Sequence, residues 1–173
     1  GKGNNYYTDH NYSSYPGQYA NPAFQVINTT TLGVTDTENS GYWAPNNGEK
    51  CLVSTDASSY YDSKEDWLIS PRLSGRAQTI TFYAQSYTEG AITNLSYQKI
   101  MVYGSTEGNE VADFSNILLG SKDDYGYELP FEIKEAALKF DQTGATSYNA
   151  TFQKVTVEIP EGTMYFAIKS TTS

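Results

Sequence analysis

The chain has 173 residues, 38% of them hydrophobic, which suits one domain large enough to hold a core without disulfides. Its net charge of −9, from 20 acidic against 11 basic residues, argues against nucleic acid, because phosphate contacts need clustered Lys and Arg. Cys51 and His10 each stand alone, which excludes an intrachain disulfide and a cysteine-based zinc site and leaves a His-dependent triad without a basis.

In chain order, residues 1–21 form a polar, tyrosine-rich leading segment with no apolar periodicity, and its Pro16-Gly17 pair reads as a turn. Residues 22–173 read as the folded domain. Ala23-Phe24-Gln25-Val26-Ile27-Asn28 is a first strand, followed by a long polar stretch ending in Gly41-Tyr42-Trp43-Ala44-Pro45-Asn46-Asn47-Gly48. Loops of that length are uncommon in compact domains unless functional or disordered. Lys50-Cys51-Leu52-Val53 is an apolar strand entry in which the thiol is expected to be buried and inert. A second polar loop, from Asp56 through Tyr60, Tyr61 and Asp62 to Glu65, precedes Asp66-Trp67-Leu68-Ile69-Ser70-Pro71-Arg72-Leu73. There Trp67 and Ile69 share one strand face and Leu68 and Ser70 the other, while Pro71 marks a strand end or sheet edge.

Beyond it the alternation is clear. Ile80, Phe82 and Ala84 alternate with Thr81, Tyr83 and Gln85, and Ile100 and Val102 with Met101 and Tyr103. Val155, Val157 and Ile159 form one face and Met164, Phe166 and Ile168 another, with Pro160-Glu161-Gly162 as the turn between. Val111, Phe114 and Leu118 predict a short helix within 111–118. No run is apolar for long enough to span a bilayer. The pattern predicts an all-β fold, a two-sheet antiparallel β-sandwich of jelly-roll or galactose-binding-like form with one short helix.

The Trp67-to-Leu73 segment resembles the Trp-Leu-Ile-Ser-Pro-x-Leu signature of cleaved-adhesin (choice-of-anchor J) domains, found on secreted and surface proteins of Bacteroidetes, including the adhesin regions of gingipains. The Phe24 strand, Gly48-Glu49-Lys50-Cys51-Leu52, Thr79-Ile80-Thr81-Phe82-Tyr83-Ala84, Ile100-Met101-Val102-Tyr103-Gly104 and Tyr165-Phe166-Ala167-Ile168-Lys169 follow in the family's order. Family members open with a Phe-Glu strand and close on Asp-Asp-Val. Neither is present, so the resemblance implies either an internal part of a longer polypeptide or a chain whose terminal segments were disordered or cut, in both cases without the first and last strands.

Candidate site residues lie in the loops. A β-sandwich recognises glycans by stacking an aromatic ring on a sugar face while amides and carboxylates bond its hydroxyls. Tyr42, Trp43, Asn46 and Asn47 in one loop, and Tyr60 and Tyr61 in the other, are the residues of that type. Trp43 fits a half-buried loop anchor equally well. Asp56, Asp62 and Asp66 suit structural calcium or plain solvation, and with Glu65 they are the nearest approach to the paired carboxylates of a glycosidase.

The resemblance implies a secreted or cell-surface bacterial adhesion module, not an enzyme, that binds glycan or a host surface protein and is joined to other domains of a larger polypeptide. Its alternatives are an accessory targeting domain of a secreted peptidase or glycoside hydrolase, and a structural spacer with no ligand.

Overall fold

The computed structural model describes residues 24–28, 45–53, 64–85, 98–133, 138–140, 146–148 and 152–172. Thirteen strands lie within them: β1 Gln25–Asn28, β2 Lys50–Val53, β3 Lys64–Ile69, β4 Gln78–Ala84, β5 Gln98–Ser105, β6 Asn116–Leu119, β7 Ser121–Lys122, β8 Glu128–Leu129, β9 Phe131–Ile133, β10 Leu138–Phe140, β11 Thr146–Tyr148, β12 Gln153–Ile159 and β13 Tyr165–Thr172. The described pairings are antiparallel. None of the helices among the described residues is long and apolar enough to cross a membrane.

The main layer is a five-stranded sheet in the order β3-β13-β5-β6, with β9 also paired to β5. β13 runs along one side of β5, while β9 takes Gln98 to Ile100 and β6 takes Val102 to Gly104 on the other. Against this sheet lies the β4–β12 ribbon. The predicted alternation holds there: Ile80, Phe82 and Ala84 with Val155, Val157 and Ile159 face Ile100, Val102, Ile133, Phe166 and Ile168 across the sandwich. The ribbon's outer face is polar, with the Thr79 hydroxyl donating to Glu158 at 2.8 Å. Burial of each large aliphatic side chain contributes about 1.5–3 kcal/mol, more than an exposed ion pair, so this layer sets the stability.

The Trp67-to-Leu73 motif is the exit from the β3 edge. Ser70 is the last residue tied to β13, its N–H donating to the Phe166 carbonyl at 2.9 Å and its Oγ accepting the Phe166 N–H at 3.0 Å. Pro71, which has no donor and lies at this open edge, interrupts the regular ladder. Contact resumes at Leu73, whose N–H donates to the Met164 carbonyl at 2.8 Å and whose side chain packs on the sandwich core.

The expected helix is a single 3-10 turn, Val111–Asp113. Leu118, read as sharing a face with Phe114, lies in β6 instead, on the opposite side of the sheet. The cause is a register shift: Val102 pairs with Leu119 and Tyr103 with Ile117, which leaves Leu118 as the extra residue of a β-bulge. The bulge lets consecutive Leu118 and Leu119 both face the sandwich core, which strict alternation forbids. Cys51 is half-buried rather than fully buried, and desolvation raises its thiol pKa, as an inert thiol requires.

The sheet's second face is covered too. Met101, Tyr103, Ala167 and Phe114 form a separate buried cluster with Trp67, Ile69, Ile117 and Tyr165 packed on it. The excursion between β5 and β9 supplies this cover and passes close over Met101 at Gly120, whose φ is +93°. A Cβ at Gly120 would overlap the Met101 sulfur. Gly120→Ala is expected to destabilise the fold by about 1–3 kcal/mol, read as a lowered urea midpoint, through strain and overpacking together.

Candidate functional site

On the second face, register sets Lys169 directly opposite Trp67 on β3 and Met101 on β5, with Glu65 diagonal to it. Lys169 is only 5% exposed. Its Nζ lies 2.8 Å from Glu65 Oε1 and 2.9 Å from Glu128 Oε2, and 5.5 Å from the Trp67 ring centroid. The Tyr103 hydroxyl donates to Glu128 Oε1. Trp67 is tilted against Tyr103 and Phe114, with ring centroids 5.5 and 6.0 Å apart. A buried ammonium is costly unless paired and bonded, and two carboxylates with an aromatic face meet that need.

Burial alone would pull the Lys169 pKa down, but hydrogen bonds and charge from Glu65 and Glu128 outweigh it and hold the pKa above the usual lysine value. Burial pushes Glu128 up, and the Tyr103 and Lys169 contacts overcome it to leave the carboxyl below its ordinary value. Tyr103 is raised by burial, by its bond to Glu128, and by the charges of Glu128 and Glu65. Each group is thus locked in its ordinary charge state. Chemically, the cluster is a strut joining β3, β13 and β8, with the lysine proton committed to ion pairs and withheld from nucleophilic or acid–base work.

The strut anchors the β7–β8 hairpin. Asp123 closes it: its backbone N–H donates to the Tyr127 carbonyl at 2.9 Å and its carbonyl accepts the Gly126 N–H at 3.0 Å. Its Oδ1 accepts the N–H groups of Tyr125 and Tyr127 at 2.9 and 2.8 Å. Gly126 takes the left-handed conformation, φ +87°, that this turn needs. Along β8 the side chains alternate, with Glu128 turned in to Lys169 and Tyr127 and Leu129 turned out. Tyr125 is 88% exposed, Tyr127 72% and Leu129 50%.

Of the residues read as a site, Tyr42, Trp43, Asp56, Tyr60, Tyr61 and Asp62 lie outside the described residues. Asn46 and Asn47 are exposed in the bend before β2. Asp66 is 6% exposed on β3, opposite Ser170 and on the sheet face that carries Ile100, turned away from Glu65 and Lys169. Among the described residues, no group of three or more His, Cys, Asp or Glu side chains could hold a metal ion. Glu65, weighed above as a catalytic carboxylate, is an ion-pair partner of Lys169. The tyrosine hairpin escaped the sequence reading, although Asp123-Asp124-Tyr125-Gly126-Tyr127 carries the signal of a tight turn flanked by aromatics.

A family model described as Cleaved Adhesin Domain matches residues 11–172. No curated protein matches the chain. Among solved structures, the chain is similar to the K1 cleaved adhesin domain of Lys-gingipain from Porphyromonas gingivalis W83, at 23% identity over 86% of this chain and 82% of that one, with a TM-score of 0.46. The K3 domain of the same protein matches at 22% identity over 85% and 80%, TM-score 0.45. The K2 domain matches at 16% over 93% and 94%, TM-score 0.48.

The strut makes its own test. Lys169→Met keeps the side-chain length but leaves Glu128 without its cation, and is expected to cost about 2–4 kcal/mol in urea denaturation. Glu65→Gln should cost no more than about 1 kcal/mol, because the Glu65 side chain is 56% exposed and its pairing is screened.

The pKa directions give a pH window. Glu128, depressed in the fold, stabilises above the unfolded value near 4.3 and loses that contribution as pH falls through its lower folded pKa. Lys169, raised in the fold, stabilises below about 10.4 and loses its contribution as pH rises through its higher folded pKa. The thermal midpoint should therefore show a contribution from the pair that holds between about pH 5 and pH 10, and Glu128→Gln should flatten the acid limb.

Proposed function

The chain belongs to the cleaved adhesin domain family, and from that membership we propose that it is a non-catalytic adhesion module of a larger secreted or cell-surface bacterial polypeptide, recognising a glycan or protein on a host surface. The family match over residues 11–172 carries this reading. The physical chemistry supports it. The buried charged cluster spends its groups on one another, and the same cluster roots a hairpin that holds large aromatic side chains in solvent. Residues exposed on a rigid scaffold in this way serve recognition better than turnover.

The loop residues Tyr42, Trp43, Asn46, Asn47, Tyr60 and Tyr61 belong to the same proposal as further ligand contacts, and Asp56, Asp62 and Asp66 as ligands of a structural calcium ion. Binding of the fluorescently labelled chain to cultured mammalian epithelial cells, with calcium and again with excess chelator, tests both parts. Saturable binding displaced by unlabelled chain is expected, and chelation should lower both binding and thermal midpoint. Absence of binding to cells and to immobilised matrix proteins, together with hydrolysis of peptide or glycoside substrates, would overturn the adhesive reading. An unchanged thermal midpoint with chelator would remove the calcium.

A further inference from the structure

Tyr125 and Tyr127 have no described packing role, yet the turn that presents them is tightly built. Asp123 binds both of their backbone N–H groups, Gly126 supplies the left-handed step, and Glu128 between Tyr127 and Leu129 is tied to a buried lysine. Exposed aromatics are expensive to leave hydrated, and fixing their backbone removes the ordering cost that a ligand would otherwise meet. Asp124, also exposed, stands beside Tyr125 at the tip with its carboxylate available as an acceptor. Tyrosine suits such a place, because it offers a rigid apolar face and a polar rim with few torsions to freeze.

We propose that this hairpin is a carbohydrate-binding platform, on which Tyr125 and Tyr127 stack against one or two uncharged sugar rings while Asp124 accepts their hydroxyls. It rests on the adhesive reading above and gives it a site and a ligand class. Size favours a sugar over a protein: two aromatic side chains supply roughly 150–250 Å² each, whereas a stable protein interface buries about 800 Å² per partner. Charge selects among sugars. The chain carries −9 overall and the tip carries Asp124, so sialylated and sulfated glycans are repelled and neutral ones are not.

The test is an array of neutral and sialylated mammalian oligosaccharides probed with the whole chain and with Tyr125→Ala, Tyr127→Ala and Tyr83→Ala. Tyr83 is a half-exposed tyrosine on the polar face of β4 and serves as the control. The expected result is binding to neutral glycans that falls about tenfold or more in each hairpin variant and is unchanged in the control. Thermal midpoints should stay within about 2 °C of one another, since all three side chains are exposed. Neutral-glycan binding retained by both hairpin variants would overturn the site and leave adhesion intact. Cell binding that survives enzymatic deglycosylation, with an empty array, would overturn the sugar. Failure on cells and array alike would sink the adhesive reading and this proposal with it.

Discussion

The ammonium of Lys169 sits on a sheet face otherwise covered by apolar side chains, between Glu65 and Glu128 and against the ring of Trp67. Desolvating it costs several kcal/mol, and Glu128 offsets most of that, with the exposed Glu65 and the aromatic face adding smaller shares. The elements that contribute partners are thereby fixed in position: β3 through Glu65 and Trp67, β5 through Tyr103, and the far hairpin through Glu128. Specificity follows from the same requirement. A slip of β3 by one residue would send Glu65 and Trp67 to the other face and strand the charge.

That arrangement explains why the central sheet is buried on both sides. β5 and β13 pack Ile100, Val102, Phe166 and Ile168 into the sandwich, and Met101, Tyr103 and Ala167 into the second cluster. The chain between β5 and β9 makes the second cover with little regular structure of its own: a 3-10 turn, a bulged strand and a hairpin of very short strands. Its hold comes from Phe114 against Trp67, the glycine seated on Met101, and Glu128. These contacts add to the pairing of β6 with β5 and to Leu118 and Leu119 in the sandwich core, and each is placed by a different physical device.

An adhesive module needs rigidity behind its contact residues, because affinity that must first order a loop is affinity lost. The molecule meets this by routing one residue of the β7–β8 hairpin inward to the strut and its neighbours outward to solvent. Asp123 shapes the turn through its Oδ1, whereas Asp124 beside it is left to solvent. Identical chemistry on adjacent residues thus does separate work, divided by backbone geometry alone.

Alternation alone determined the all-β class, the β4–β12 face of Ile80, Phe82, Val155, Val157 and Ile159, and the strand exit at Pro71, because each follows from a local period or a missing donor. The family was legible in the order of the strand motifs. Tertiary structure decided the rest. Lys169 reads in sequence as a polar residue opposite the Phe166 and Ile168 face, and only the sheet order, which sets β13 between β3 and β5 beneath a distant hairpin, makes it buried. Leu118 reads as helical because spacing cannot register a bulge, which exists only relative to a partner strand. Tyr125 and Tyr127 read like the chain's many other tyrosines. Their exposure depends on which way Glu128 points, and that is settled by a charge forty-one residues away in sequence.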